Sequence, residues 1–265
     1  MLPHKNLIPD INLTPYSIWL ATVVVSGISY LSYLLKRYVF HESGTLVSGI
    51  IGGLYSSTAT ISVLARKSRK ASEQEATDYV AAMLLAVSMM FLRFMILILI
   101  FSREIFLSIY PYLLTMAVVA AIVAWFIHSR QKRPEGQSAE TEEDDSSNPL
   151  EFKVALIFAI LFVIFTFLTH YTLVYAGTGG LNLLSFVSGF SDITPFILNL
   201  LQNTGSVAAL IITACSMQAI ISNIMVNMFY ALFFAGKGSK LRPWILGGFG
   251  VVIVCNLVLL LFFYI

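Results

Sequence analysis

The chain of 265 residues is too apolar for a water-soluble fold, because hydrophobic residues form 58% of it and charged residues only 11%. Ordinary soluble domains carry roughly 45–50% apolar and about 25% charged residues. Roughly 20 consecutive apolar residues cross a bilayer as a helix. The composition therefore predicts an all-α polytopic membrane protein in contact with the lipid bilayer.

Eight apolar segments follow one another along the chain. Six are long and uninterrupted, as membrane-spanning helices are, and they cover residues 16–35, 79–101, 105–127, 152–175, 206–235 and 244–265. The other two, residues 44–66 and 179–203, are interrupted near the middle by glycine and by clustered hydroxyl residues. Because glycine disfavours a helix interior, these two segments are predicted to form broken helices.

An acidic stretch divides the chain into two halves with the same organisation. Residues 134–149 hold six acidic residues and no apolar period, which is typical of a solvated linker. The first membrane repeat, residues 1–133, and the second, residues 150–265, each contain a helix, a broken segment and two helices. An internal duplication at a spacing of about half the chain is therefore predicted. Its matched pairs are Gly53 with Gly189, Thr58 with Thr194, Ser88 with Ser222 and Arg93 with Asn227.

The distribution of lysine and arginine predicts the membrane topology. If both broken segments are re-entrant, each entering and leaving on one side, thirteen basic residues face one compartment and two face the other. Cytoplasmic loops carry such an excess, so the linker is predicted to be cytoplasmic. The basic run 66–70 is then a topological determinant, and no nucleic-acid partner is expected.

Under this topology each half has three transmembrane helices and one re-entrant hairpin, and the second half is an inverted copy of the first. Inverted repeats with discontinuous helices recur in transporters and place the solute site where the breaks meet. In the alternative, all eight segments cross the membrane as parallel repeats, and the basic residues divide about nine against six. Both arrangements keep the site near the middle of the membrane.

The two breaks are the predicted site. In the second break Thr194 precedes Pro195, a pattern typical of a helix start; in the first, Ser57 or Thr58 is expected to cap the returning half-helix. Two helix N-termini would then point inward and favour an anion or the negative end of a dipole. The alternative is that small residues merely permit close helix packing. The substrate-binding residues expected in the breaks are Gly52, Gly53, Ser56, Ser57, Thr58, Thr60, Gly189, Ser191, Asp192 and Thr194.

Arg93 and Asp192 are the charged residues predicted to lie deepest in the membrane. A charge at the bilayer centre costs at least ~2.5 kcal/mol, so Arg93 is expected to face protein or water, with Asp192 as its partner. Two readings stay open, a structural ion pair between the halves and a substrate or proton site. Asn223 and Asn227 share a helix face at i, i+4 spacing and either line the solute path or hydrogen-bond between helices.

No nucleophile elbow, P-loop, metalloprotease motif or paired-carboxylate constellation occurs in the sequence. We therefore expect no enzyme, no cofactor and no metal site. The leading prediction is a secondary transporter or channel for a small solute or ion, with a lean towards an anionic or zwitterionic solute. The alternatives are a regulatory or scaffolding membrane subunit and lipid translocation, and a homo-oligomer is compatible with each.

A run of small and hydroxyl residues in the first break resembles a known family. Residues 49–60, Gly-Ile-Ile-Gly-Gly-Leu-Tyr-Ser-Ser-Thr-Ala-Thr, are similar to the membrane domain catalogued as domain of unknown function 4010, as are the strings at 91–93, 188–192 and 222–223. This domain is often fused behind an MgtC/SapB-type domain. The resemblance implies an MgtC-type partner, a link to magnesium or membrane-stress physiology, and a bacterial or archaeal inner membrane. A lysine expected four residues after Asn223 is Asn227 here.

Overall fold

The computed structural model describes residues 11, 13–39, 44–69, 71, 73–130, 152–202, 207–236 and 240–264. Among these residues every element longer than a turn is helical. The helices are α1 (Pro15–Leu34), α2 (Thr45–Lys67), α3 (Glu73–Phe101), α4 (Arg103–Ser129), α5 (Phe152–Ser188), α6 (Ile193–Gln202), α7 (Ala209–Ala235) and α8 (Arg242–Tyr264). A π-helical turn, Leu35–Val39, follows α1. The predicted acidic linker, residues 134–149, lies outside the described residues.

Seven of the described helices are long and apolar enough to cross a membrane, and only α6 is shorter. Large apolar side chains are exposed along their outer faces, among them Leu107, Trp125 and Leu261. Such a surface is stable against lipid hydrocarbon and unfavourable in water. The prediction of an all-helical polytopic membrane protein is confirmed.

Helices α3 and α7 form the centre of the bundle. In their apolar spans 56% and 72% of the residues are buried, against 17% for α1 and 33% for α8. Each central helix follows one of the two segments predicted to be broken, 44–66 and 179–203, and α2 makes its most extensive packing with α3. The interior of the protein is therefore built around the two helices against which the broken segments pack.

The chain reverses direction sharply at two positions inside its helices. Ser56 in α2 is extended, with φ −158° and ψ 108°. A Cβ built on Gly52 would lie 2.8 Å from the Cγ2 of Thr60, although residues eight apart in a continuous helix are separated by about 12 Å. Helix α2 is therefore two arms, residues 45–55 and 57–67, folded against each other, and the break predicted in segment 44–66 is confirmed.

The second reversal occurs at Gly177 in α5. Gly177 has φ 58° and ψ −150°, a conformation that only glycine adopts without strain. A Cβ built on Gly180 would lie 2.8 Å from the Cγ2 of Thr172, eight residues earlier, so the chain again folds back on itself. Helix α5 comprises a long arm, residues 152–176, and a short arm, residues 178–188. The short arm and α6 then form the two halves of the segment predicted to be broken at 179–203.

The first arm of α2 packs on α3 through direct backbone contact. A Cβ built on Gly49 would lie 2.8 Å from the carbonyl carbon of Ala82, and one built on Gly53 would lie 2.5 Å from the Cα of Ala86. Small residues at four-residue spacing let membrane helices approach this closely. Because the contacts advance together along both helices, the arm 45–55 and α3 run in the same direction.

Candidate functional site

Arg93 of α3 joins the two breaks. Its Nη1 donates to the carbonyl oxygen of Tyr55 at 2.8 Å, and its Nη2 donates to the Oγ1 of Thr194 at 3.5 Å. The side chain is 8% exposed, so Arg93 faces protein, as the cost of a charge in hydrocarbon requires. One guanidinium thus contacts the last residue of the first arm of α2 and the first turn of α6.

Asp192 lies near Arg93 but forms no ion pair with it. Among the described residues, the acceptors that the guanidinium reaches are the Tyr55 carbonyl and the Thr194 hydroxyl. Asp192 is exposed, and its charge is close enough to act on Arg93 electrostatically. The expectation of a direct Arg93–Asp192 ion pair is corrected, because the carboxylate is occupied with the backbone of α6.

The caps of the two inward-pointing helix starts differ from those predicted. The Oδ1 of Asp192 accepts a hydrogen bond from the backbone N–H of Thr194 at 2.9 Å, so Asp192 caps α6, and the prediction of Thr194 was wrong. In the first break the Oγ of Ser56 accepts from the N–H of Ala59 at 3.3 Å, so Ser56 is the cap rather than Ser57 or Thr58. The hydroxyl of Thr194 is left free to accept from Arg93.

The ends of the arms that lead into the breaks also receive donors. A helix leaves its last carbonyl groups without intrahelical partners. Arg93 supplies a donor to the Tyr55 carbonyl in the first break, and the Nδ2 of Asn223 supplies one to the carbonyl of Gly189 in the second at 3.2 Å. Helix starts and helix ends therefore meet in one region, each with a polar side chain against it.

Two buried polar atoms in this region have no hydrogen-bond partner, the Nε of Arg93 and the Oδ1 of Asn227. Asn227 is fully buried, and its Nδ2 donates to the Oδ1 of Asn223 at 3.1 Å. Unsatisfied polar groups in a dry interior are costly. The region thus contains one unpaired buried donor and one unpaired buried acceptor.

The other predicted residues take different roles. Gly52 and Thr60 contact each other within the folded α2, and Gly53 lies against Ala86, so these three set the packing. Ser191 is exposed, and its Oγ donates to the carbonyl of Ser188 at 3.1 Å. Ser57 is buried, and the carbonyl of Thr58 accepts from Ser62 at 2.8 Å. The structure brings Ser56, Arg93, Asp192 and Thr194 to the breaks, with Gly189, Asn223 and Asn227 linked to one another beside them.

Tyr55 is a member of the site that the sequence reasoning missed. It contributes its backbone carbonyl, and no side-chain pattern reveals a backbone acceptor. The signal available was indirect, since any half-helix that ends inside the membrane must present carbonyl groups there. Among the described residues no group of three or more His, Cys, Asp or Glu residues could hold a metal ion.

Several ionisable side chains away from the breaks form contacts between the ends of helices. The Nη2 of Arg69, just after α2, donates to the carbonyl of Phe233 at 3.3 Å, and Arg66 lies 4.3 Å from the ring centroid of Phe234. The Nδ1 of His128 lies 2.6 Å from the Oδ1 of Asp78, which joins α4 to α3. The end of α2 and the end of α7 are therefore neighbours.

These features define a polytopic helical membrane protein with two broken helices that meet at a buried arginine. The chain belongs to the family described as domain of unknown function (DUF4010), whose model matches residues 23–235. The matched region contains both breaks, Arg93 and the whole of α7 but leaves α8 out. The family resemblance carried by residues 49–60 is thus confirmed.

The chain is also similar to an uncharacterized protein of Aquifex aeolicus (strain VF5). The two are 25% identical over 227 residues, which cover 83% of this chain and 96% of that protein. No solved structure matches the chain.

Proposed function

We propose that this protein is a secondary transporter or channel for a small solute or ion, with its site around Arg93 where the two broken helices meet. The observation that carries the proposal is a buried arginine that touches both breaks and has no carboxylate partner among the described residues. An ionisable residue inside the membrane is a functional-site hypothesis by default. Discontinuous helices that meet near the midplane are a recurring construction of transporter sites.

An inverted repeat with two re-entrant hairpins accounts best for the contacts. The close approach of Gly52 and Thr60 opposes a single straight crossing by α2. The Arg69–Phe233 contact puts the basic end of α2 beside the end of α7, as the charge bias predicts for one cytoplasmic surface. We propose a bacterial or archaeal cell membrane, with the linker 134–149 in the cytoplasm. The side opposite the linker is called the outer side below.

A single spacing relates the two halves. Gly53 packs on Ala86 and Gly189 packs on Ser222, and the separation from Gly53 to Gly189 along the chain equals that from Ala86 to Ser222. This common separation is called the repeat spacing below, and the caps Ser56 and Asp192 also obey it. These contacts support a duplication. They also change the alignment of α3 with α7, because the partner of each α3 residue lies two positions later in α7 than in the predicted matches Ser88–Ser222 and Arg93–Asn227. Under the repeat spacing, Arg93 corresponds to Phe229.

The charges favour an anionic or zwitterionic solute. Arg93 offers a free Nε–H, and the starts of the arm 57–67 and of α6 add partial positive charge. Asp192 lies at the same place and is exposed, so it can attract the cationic end of a zwitterion. A simple cation is disfavoured because it would have to approach Arg93.

Flux through reconstituted protein tests the proposal. Purified protein in liposomes is assayed with a panel of inorganic anions, carboxylates, amino acids and metal cations. Anions or zwitterions should cross, and Arg93→Ala should abolish that flux, whereas Arg103→Ala, at an exposed arginine at the start of α4, should preserve it. Folded protein that moves no member of the panel would contradict transport and favour a regulatory subunit, for which an MgtC-type domain is the predicted partner.

Thiol labelling tests the topology separately. Single cysteines at positions 70 and 204, beyond the ends of α2 and α6, should react with a membrane-impermeant reagent from opposite sides if both segments are re-entrant. Labelling of both positions from the same side of the membrane would overturn the inverted arrangement.

A further inference from the structure

The short arm of α5, residues 178–188, meets α7 along a row of polar side chains. The Sγ of Cys215 donates to the Oδ1 of Asn182 at 3.4 Å. The single hydroxyl proton of Ser185 is shared between the carbonyl of Asn182 in its own arm, at 2.7 Å, and the Oε1 of Gln218 on α7, at 3.0 Å. Further along, the Oγ of Ser222 donates to the carbonyl of Phe186 at 2.7 Å, and Asn223 reaches Gly189. The members of this polar seam are Asn182, Ser185, Cys215, Gln218, Ser222 and Asn223.

A cavity opens at one end of the polar seam. It has a volume of about 170 Å³ and is lined by Thr178, Asn182, Leu210, Ile211 and Ala214. Because Asn182 belongs to both, the cavity and the polar seam are continuous. Under the proposed topology this end lies on the outer side, since Thr178 directly follows the reversal at Gly177.

The other end of the polar seam reaches the breaks. Asn223 contacts Gly189 and also Asn227, whose Oδ1 is buried without a partner. From Cys215 to Asn227, α7 rises about 18 Å, more than half of a ~30 Å hydrocarbon core. Polar groups therefore lead without interruption from the outer cavity to the level of the breaks.

The equivalent surface in the first half is closed and carries one polar side chain, that of Tyr79, at the paired positions. The repeat spacing pairs Asn182 with Leu46, Ser185 with Gly49, Cys215 with Tyr79, Gln218 with Ala82 and Ser222 with Ala86. There Gly49 and Gly53 place the arm against the backbone of α3. A hairpin of this kind thus packs firmly on its central helix with a single polar side chain at the paired positions, and packing alone does not account for the amides, hydroxyls and thiol of the second half.

We propose that the polar seam is the route by which the solute passes between the outer side and the Arg93 site. This inference rests on the proposed transport function. Hydrogen bonds between neutral side chains across two helices can be exchanged one by one for bonds to a passing solute, and conduction requires sites that bind weakly. The polar seam contains amides, hydroxyls and one thiol, so it admits small hydrogen-bonding solutes, and selection by charge falls to Arg93.

Water access along the polar seam is the first test, and it needs no knowledge of the solute. In a Cys215→Ser, Cys255→Ser background, single cysteines replace Asn182, Ser185 or Gln218, and proteoliposomes are treated with a membrane-impermeant thiol reagent. Matched controls are Leu181→Cys and Ala219→Cys, both at fully buried neighbours. The seam cysteines should react and the controls should not. Seam cysteines that react no faster than the controls would overturn the route.

A reversible crosslink is the second test. In a Cys255→Ser background, the Asn182→Cys variant has a cysteine opposite the native Cys215, and oxidation should join the two thiols. The control carries Asn182→Cys together with Cys215→Ser and cannot form this crosslink. Crosslinked protein should lose flux and regain it on reduction, and the control should keep its flux through oxidation. Unchanged flux in fully crosslinked protein would contradict the route. Absence of flux in every variant, including the native chain, would instead contradict the proposed function, and the labelling would still decide whether the polar seam admits water.

Discussion

The two broken segments share a geometry and differ in chemistry. In the first, Gly49 and Gly53 bring the arm of α2 into backbone contact with α3. In the second, Ser185 and Gln218 hold the arm of α5 to α7 with a hydrogen bond between side chains. The first surface leaves no room for a solute. The second is equally close at Gly189, where a Cβ would lie 2.8 Å from the backbone nitrogen of Asn223, but elsewhere along the arm its contacts are exchangeable hydrogen bonds between polar side chains. The two broken segments therefore have a similar shape, and their surfaces differ in polarity.

The charged site shows the same asymmetry. Arg93 belongs to the first half. Its counterpart under the repeat spacing is Phe229 of α7, whose side chain is 62% exposed at the surface of the helix bundle. The second half supplies Asp192 and Thr194 instead. The site around Arg93 is therefore made of unlike parts from the two halves of the chain.

The largest effect is expected at the closed surface of the first half. Gly49→Leu forces a side chain into the backbone of Ala82, and overpacking of this kind costs about 1–3 kcal/mol or more. We expect little folded protein and a strongly lowered thermal midpoint in detergent. Gly27→Leu is the control, because a Cβ at Gly27 meets nothing within 4 Å. Equal midpoints for the two variants would show that α2 and α3 are not in backbone contact.

The next effect concerns the residue that joins the halves. Arg93→Ala leaves the partly buried Tyr55 carbonyl without its donor, which costs about 1–3 kcal/mol. Arg93→Lys keeps the charge but cannot span both acceptors in the fork geometry of arginine, so it should recover much of the stability and little of the flux. Thermal midpoints and liposome flux are measured on the same preparations. Full flux with lysine would mean that charge alone is required.

Capping and charge can be separated at Asp192. Asp192→Ala removes the cap of α6 and should cost about 1 kcal/mol, and Ser56→Ala should cost a similar amount at the equivalent place in the first half. Asp192→Asn retains a good cap and removes the charge. It should leave the thermal midpoint nearly unchanged and raise the flux of anions relative to zwitterions. An unchanged ratio would remove Asp192 from the solute site.

The smallest change in stability is expected in the polar seam. Removing the hydrogen bond with Ser185→Ala should cost about 0.6 kcal/mol, the average for such bonds between membrane helices. Ser88→Ala, which removes a bond from the Oγ to the carbonyl of Ala117 on α4, is a matched control away from the polar seam. Both variants should fold, and only Ser185→Ala should alter the rate of flux.

The sequence was most informative where burial in lipid leaves few choices. Apolar length located the membrane helices, and the cost of a charge in hydrocarbon predicted that Arg93 faces protein or water rather than lipid. The break in α2 was predicted from glycine and hydroxyl residues close to where Ser56 interrupts the helix. The reversal at Gly177 falls in the gap between the predicted segments 152–175 and 179–203, where three glycines stand within four residues.

The details of the site depended on contacts that no sequence pattern contains. The cap of α6 falls at Asp192 because the hydroxyl of Thr194 faces Arg93 rather than its own helix start. The cap in the first break falls at Ser56. The polar seam also escaped notice, although Asn182 and Ser185, three residues apart, share a helix face. Polar residues three or four positions apart on both α5 and α7 were the signal in the sequence that could have revealed the polar seam.

The longer of the two Arg93 contacts has a thermodynamic consequence. The bond to Thr194 measures 3.5 Å and the bond to Tyr55 measures 2.8 Å, so the first is the weaker. A solute that takes the Nη2 of Arg93 displaces Thr194, and with it the direct link between α3 and α6. Occupancy and the attachment of α6 are then reciprocally coupled, so whatever pulls α6 away from Arg93 must raise the affinity for the solute by the same factor.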